Sequence, residues 1–414
     1  MRNSKSILVI IIVFASITAS GQWTSLNSST SLNLGVIKQT PSGALLVASS
    51  GEAFPPSSGI ILKSDNEGAT WYIVANNSKG FSDIVFPSQN FGLAIAKSRD
   101  TIFRSTDGGN TWQEQYSINS FGSGYGFPQV AFTDSLTGYA PGYKTSDGGN
   151  SWVLQNQTLN FFPYVPAGIT FLNDSTGVVV GNGYWGVNYK TTDRGVTWSA
   201  VIVPYFTWEI YSVYFPTASI GYCTSNKLQT AHETEILKTV DGGDTWTSIY
   251  TQSPFIYCPS VFCTDSNTCY AVGSSGTIMK TTDGGVTWGS QGSGTTQTLR
   301  KVFFTNADTG YIVGDSGTIL KTTNGGGFVG IRESIGDATF KVFPSPAHDE
   351  LTVENNLNQS VLFGLYNSMG EKIIDKTWKE KINKIDISAV SNGIYFYKIT
   401  SEKGILKAGK IIKH

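Results

Sequence analysis

At 414 residues, with 40% hydrophobic and 14% charged content, the chain can bury a large core and a second domain, which excludes a disordered chain. Its 46 Gly and 13% aromatics are the mix of short strands joined by tight turns, so an all-β protein is expected. Residues 22–337 carry 16 Lys and Arg against 22 Asp and Glu, and residues 338–414 carry 11 against 8. A mildly acidic larger part with no basic stripe argues against binding nucleic acid.

Residues 1–21 read as a signal peptide. Arg2 and Lys5 precede an apolar run from Ile7 to Ile17 and the small residues Ala19, Ser20 and Gly21. The run is too short for a membrane span, and no later segment is long or apolar enough to be a transmembrane one. The exported chain is expected to start at Gln22, in a compartment where disulfides form.

From there one octapeptide recurs. Ser105-Thr106-Asp107-Gly108-Gly109-Asn110-Thr111-Trp112 returns as Thr145 to Trp152, Thr191 to Trp198, Thr239 to Trp246 and Thr281 to Trp288. Ser64 to Trp71 has Asn66 at the Asp position, and Thr322 to Val329 has Asn324 there and no Trp. Successive tryptophans from Trp71 are 41, 40, 46, 48 and 42 residues apart, the length of one four-stranded propeller blade. In each copy the Asp (Asp107, Asp147, Asp193, Asp241, Asp283) is expected to accept turn N–H bonds and Gly to supply a positive φ. The Trp (Trp112, Trp152, Trp198, Trp246, Trp288) is expected to pack inward. These residues form a clasp between two strands and are not a catalytic centre.

Upstream of each clasp, Ile84, Val130, Ile169, Val213, Val261 and Val302 share a column. Phe86, Phe132, Phe171, Phe215, Cys263 and Phe304 share the column two residues later, which is one face of an inner strand. Seven units are counted, the first irregular, and the expected fold is an all-β, seven-bladed β-propeller plus a small C-terminal β-sandwich. The last unit lacks a Trp-led strand, and Trp23-Thr24-Ser25-Leu26 resembles Trp246-Thr247-Ser248-Ile249, so the N-terminal strand is expected to close the ring. A cation precedes every clasp (Lys63, Arg104, Lys144, Lys190, Lys238, Lys280, Lys321), read as covering apolar surface with its charge in water. Cys223, Cys258, Cys263 and Cys269 allow three pairings; Cys263 with Cys269 is favoured, leaving Cys223 with Cys258, against free buried thiols.

The clasp resembles the Asp box, or BNR repeat, and the array over residues 22–330 resembles photosystem II stability/assembly factor-like propellers; sialidases, xyloglucan-active glycosidases and sortilin-type receptors share the box. The tail resembles a type IX secretion system (type A) C-terminal sorting domain in Phe340-Lys341-Val342-Phe343-Pro344-Ser345-Pro346-Ala347, Leu365-Tyr366-Asn367-Ser368-Met369-Gly370-Glu371 and Gly393-Ile394-Tyr395-Phe396-Tyr397-Lys398. Ser345 stands where that family usually has Asn. The resemblance implies export by the type IX machinery and release or attachment at the surface of a Gram-negative cell. The expected domains are residues 22–329 for the propeller, 330–337 for a linker and 338–414 for the sorting domain.

Clasps all fall at one end of such a propeller, and the irregular insertions fall at the other. Those insertions carry Tyr125, Phe162, Tyr164, Trp185, Tyr205, Trp208 and Tyr257, with Phe255 beside Tyr257, a platform for a glycan or protein partner. The competing reading is a glycosidase, for which Glu209 and Glu233 are weak catalytic candidates beside Asp83, Glu235 and His232. A third is an assembly scaffold for envelope proteins. A sialidase site is disfavoured because its Arg-Ile-Pro motif is absent. The three histidines, His232, His348 and His414, lie far apart and no phosphate-loop motif occurs, so neither metal nor cofactor is expected.

Overall fold

The computed structural model describes residues 23–51, 59–77, 80–97, 101–116, 129–155, 165–182, 187–204, 207–228, 232–327, 340–356, 360–367, 372–401 and 404–414. The leader and the expected linker lie outside them. The described chain is all-β apart from two short 3₁₀ turns, and from residue 34 to residue 291 its strands group in fours, each antiparallel and in sequence order.

The first unit spans residues 34–77, the second 81–116, the third 131–154, the fourth 165–202, the fifth 207–252 and the sixth 260–291. In each, four strands follow one another as neighbours; a single bridge, Asn182 to Glu209, also links the fourth unit to the fifth. The last unit has three strands of its own, Leu299–Phe304, Gly310–Gly314 and Ile319–Thr322. Its fourth is Thr24–Leu26, paired antiparallel with Ile319–Thr322 so that Thr24 faces Lys321.

Trp23 takes the place of the tryptophan this unit lacks. Its ring meets Phe304 edge-on at 5.9 Å and 83°, nearly the geometry of Phe215 with Trp246 (5.8 Å, 81°) and of Phe132 with Trp152 (6.2 Å, 81°). Its Nε1 donates to Gln291 Oε1 at 2.9 Å, so the buried indole is satisfied.

Apolar side chains on both faces of each sheet pack against the neighbouring units, which is why the strands read as nearly continuous hydrophobic runs. One cluster joins Val36, Leu46 and Ala48 of the first unit to Phe81, Ile84 and Ala94 of the second. Another joins Tyr311, Val313 and Ile319 of the last unit to Leu34, Ile37 and Leu45 of the first, so the last unit closes on the first. Each such Leu or Ile, fully buried, stabilises by about 1.5–3 kcal/mol.

The phenylalanine column explains the glycine opposite it. Phe132 pairs with Gly138 across the hairpin, and a Cβ on Gly138 would lie 2.6 Å from the Phe132 ring. The same holds for Phe86 with Gly92 and Phe215 with Gly221. In the sixth unit both partners change together. Cys263 stands at the Phe position and Cys269 at the Gly position, directly opposite in register, and a disulfide joins them.

Cys223 and Cys258 are buried free thiols, which corrects the expectation of a second bridge. The fifth sheet separates them. Cys223 packs with Val178, Val180 and Leu237 toward the fourth unit, whereas Cys258 packs with Ile236, Ala271 and Met279 toward the sixth. Burial raises both thiols, so they are poor nucleophiles.

The tail forms a three-stranded sheet (Phe340–Phe343, Glu350–Asn355, Ile382–Asp386) and a four-stranded sheet (Lys372–Trp378, Val361–Tyr366, Gly393–Ser401, Gly404–Lys413). The two share one core that includes Phe340, Leu351, Phe363, Leu365, Ile385 and Tyr397.

Candidate functional site

The two ends of the circle do different work. At one end, every Asp clasp uses one bond set. In the third unit Asp147 Oδ1 accepts the Ser151 N–H at 2.9 Å and Oδ2 accepts the Ser151 hydroxyl at 2.6 Å. Thr145 Oγ1 donates to Asp147 at 2.7 Å and accepts the Gly149 N–H at 2.8 Å. Gly148 and Gly149 have φ of 70° and 87°, in the left-handed region open to glycine. Burial would raise the Asp147 carboxyl, but the bonds from Ser151 and Thr145 outweigh it and hold it at about 2. Asp241 is likewise held at about 2, with Thr245 and Thr239 as donors opposing burial. The three donors to Asp147 all come from its own turn, so the carboxylate serves the clasp.

The cation before each clasp reaches the next unit's clasp. Lys63 Nζ donates to Asn110 Oδ1 at 2.5 Å, Lys144 to the Arg194 carbonyl at 3.2 Å, and Lys238 to the Gly284 carbonyl at 2.6 Å. Arg104 bonds Asn150, and Lys190 pairs with Asp244 at 2.7 Å. Lys280 donates to the Gly325 carbonyl at 2.7 Å, and Lys321 closes the series on Glu67 of the first clasp at 2.9 Å. This corrects the expectation that these charges stay in water: Lys63 and Lys280 are buried, and burial lowers the Lys280 ammonium to about 8. Sequence reading found the column but not its target, because the acceptors lie one unit further on and are of no fixed kind: side chains for Lys63, Arg104, Lys190 and Lys321, backbone carbonyls for Lys144, Lys238 and Lys280. Tyrosines add to the same seam: Lys280 lies 5.3 Å over Tyr270, whose hydroxyl also donates to the Gly325 carbonyl.

The other end carries the insertions. Tyr125, Phe162, Tyr164, Trp185 and Tyr205 lie outside the described residues, as does the side chain of Trp208, whose backbone belongs to the strand Thr207–Tyr214. The described part lies between the fifth and sixth units. Long strands Thr207–Tyr214, Gly221–Leu228 and His232–Thr239 carry it beyond the ordinary blade length. A bulge between Ile210 and Ser212 turns Tyr211 out of the ladder.

Tyr211 donates its hydroxyl to Glu209 Oε2 at 2.7 Å and meets Tyr257 edge-on at 4.9 Å and 84°. Burial, and then the bond to Glu209 and its charge, raise the Tyr211 phenol, so it stays a neutral donor. Asn226, opposite Glu209 in register, places its amide 2.9 Å from His232 Nδ1, and the His232 ring lies 6.2 Å from Phe255. Tyr257 and His232 are exposed, and Glu209 and Phe255 are half-buried. Glu209, His232, Phe255 and Tyr257 of the sequence reading thus come together, and Tyr211 and Asn226 join them. Neither was found earlier, since a bulge residue and a lone Asn carry no motif.

The other carboxylates are placed elsewhere. Glu209 lies across from Asn226 and Thr234, while Glu233 lies across from Lys227, the next position, so the pleat directs them to opposite faces. Glu209 and Glu233 therefore do not form a carboxylate pair over one cleft. Glu235 is fully buried, accepting Thr207 and Ser225 hydroxyls at 2.8 and 2.9 Å. Asp83 is also buried, its Oδ2 accepting the Val130 N–H at 3.1 Å. Among the described residues, no cluster of three or more His, Cys, Asp or Glu is positioned to hold a metal ion.

Residues 341–414 match the secretion system C-terminal sorting domain, which marks the chain for the type IX machinery and for secretion or the cell surface. Among solved structures, YCF48 from Cyanidioschyzon merolae superposes with a TM-score of 0.57 at 16% identity, covering 72% of this chain and 98% of that one. PorZ, a surface component of the type IX secretion system of Porphyromonas gingivalis, gives 0.52 at 13% identity, covering 92% of this chain and 59% of that one. The β-propeller domain of Swd1 from Myceliophteria thermophila gives 0.53 at 9% identity, covering 72% and 99%. These likenesses establish a shared propeller fold, and a search of curated proteins finds no match. With residues 63–208 and 219–323 matching its repeat model, the chain belongs to the photosynthesis system II assembly factor YCF48 family of BNR-repeat β-propellers.

Proposed function

We propose that the chain is a surface-exposed binding protein whose seven-bladed propeller, residues 22–329, recognises a glycan or protein through its insertion end. A linker at residues 330–337 joins it to a β-sandwich sorting domain at 338–414. The observation that carries this reading is the Glu209, Tyr211 and Tyr257 cluster. It presents an exposed ring beside a half-buried carboxylate, at the end where the clasps are not. A fixed aromatic edge with a neighbouring acceptor suits either a sugar ring or a protein side chain. Trp185, Trp208 and Tyr205 are the further aromatic candidates that this reading tests by substitution.

The test is a screen of glycans and envelope-protein fractions against the chain from Gln22, followed by titration of the strongest ligand. Tyr257→Ala and Trp208→Ala are expected to weaken binding at least tenfold without loss of fold. Binding unchanged in both removes the insertion end as the recognition surface. Release of sugar from a polysaccharide, abolished by Glu209→Gln, assigns a hydrolase instead.

A further inference from the structure

The residue facing each clasp cation across its hairpin follows a pattern of its own. It is Tyr139 opposite Lys144, Tyr222 opposite Lys238, Tyr270 opposite Lys280 and Tyr311 opposite Lys321. Each of these ammoniums lies 5.3–5.6 Å from the centre of its ring. Three of the rings bond the next unit: Tyr222 donates to the Ser266 carbonyl at 2.9 Å, Tyr270 to that of Gly325 at 2.9 Å and Tyr311 to that of Glu67 at 3.1 Å. A phenol thus fills the space between a cation and the backbone of the following unit.

Leu46, Leu93 and Val178 hold this position in the other three units. In the second unit a ring arrives from elsewhere, since Arg104 Cζ lies 4.6 Å from the centre of the Phe91 ring. In the first, Lys63 is buried and held by Asn110 and Asp65. The fourth unit has the smallest side chain of the column, Val178, and Thr176 where the second has Phe91. Between the fourth and fifth units lies a hollow of about 420 Å³ whose lining includes Leu172, Thr176, Lys190, Ala218 and Gly242.

That lining reproduces the partners of a seam tyrosine. Ala218 stands three residues after Phe215 as Ser266 does after Cys263, and Gly242 three after Thr239 as Gly325 does after Thr322. Ser266 and Gly325 supply the carbonyls that Tyr222 and Tyr270 use. A Cβ on Gly325 would meet the Tyr270 hydroxyl at 3.1 Å, the Ala307 carbonyl at 3.3 Å and Lys280 Nζ at 3.6 Å. One on Gly242 would meet the Ala218 carbonyl at 3.0 Å, a Leu172 methyl at 3.6 Å and Lys190 Nζ at 3.8 Å. Carbonyl and cation are kept, and a methyl stands where the hydroxyl was. Lys190 pairs with Asp244 at 2.7 Å, so its charge is matched and the hollow suits a neutral ring. Asn173, Ala218 and Asp241 on its lining are exposed, so it opens to solvent at the clasp end.

We propose that this hollow binds a tyrosine side chain of another protein, the ring against Leu172 and Lys190 and the hydroxyl on the Ala218 or Gly242 carbonyl. Four seams of the same molecule already hold that side chain in that setting.

The experiment is a methyl NMR titration of the full chain from Gln22 with N-acetyltyrosinamide. A saturable shift of the Leu172 methyls is expected, at about millimolar affinity for so small a probe. N-acetylphenylalaninamide, which lacks the hydroxyl, is expected to bind about threefold more weakly or worse. Val178→Tyr, which supplies the missing ring, and Thr176→Phe, which copies the second unit, are each expected to abolish the shift. No saturable shift at the Leu172 methyls overturns the proposal, as does equal affinity for the two probes or binding that both variants leave unchanged. Should one variant fail to fold, the other decides, and the comparison of the two probes on the unmodified chain needs neither.

Discussion

The clasp end and the insertion end are made of the same strands and differ in what repeats. At the clasp end one bond set recurs from unit to unit, and Lys or Arg of each unit grips the next clasp. At the insertion end the sixth and last units share one tight turn, Ser274–Gly276 and Asp315–Gly317, whereas the fifth unit runs on in longer strands and exposes Tyr257 and His232 beside them. Stability demands the same solution in every sheet, while recognition needs one arrangement in one place. Repetition therefore marks what holds the molecule together, and its failure marks where a partner fits.

Substitutions can break or sharpen that contrast. The largest effect is expected for Trp23→Ala, which empties the site between Tyr270 and Phe304 and leaves Gln291 without its donor. A loss of about 3–5 kcal/mol in denaturant unfolding follows from a deleted buried indole. A loss below about 1 kcal/mol shows that the closing strand is dispensable.

Next is the Cys263–Cys269 bridge, whose separation of 6 residues implies about 2 kcal/mol from loop closure. The double variant Cys263→Phe with Cys269→Gly restores the pair used in the other units. It is expected to unfold at a higher temperature than Cys263→Phe alone, where the ring meets a side chain in place of glycine. A double variant no better than the single one means the bridge is more than a substitute for that pair.

Asp241→Asn is expected to cost about 1 kcal/mol, because Asn66 and Asn324 already serve in two clasps. Acid titration reads the clasps together. With Asp147 and Asp241 at about 2 in the fold and near 3.8 when free, their contribution is complete above pH 4. It is lost as pH falls from 4 toward 2, so the melting temperature drops over that window. The smallest shift in that window is expected for a variant with all five clasp aspartates changed to Asn. An undiminished acid transition in that variant places the sensitive carboxylates elsewhere.

The ring was legible because its signals are local and repeated. The octapeptide turn, the period-two columns and the likeness of Trp23-Thr24-Ser25-Leu26 to Trp246-Thr247-Ser248-Ile249 each lie within a few residues. What was missed runs between units. The cations before the clasps show their acceptors only when the next sheet is in place, and Cys223 and Cys258 proved to face different neighbours. The Cys263 and Cys269 exchange for Phe and Gly was visible in the columns, but its meaning lay in the cross-strand register. At the candidate site, Tyr257 and Glu209 were within reach of sequence reading, whereas Tyr211 depended on a bulge that no residue type announces.

The most direct measurement is to record melting temperature and ligand affinity together for Asp241→Asn and Tyr257→Ala. A division of labour between the ends predicts that the first variant melts earlier and binds unchanged, while the second melts as the parent does and binds at least tenfold more weakly. The reverse pattern, with affinity lost at the clasp and stability lost at Tyr257, would contradict it.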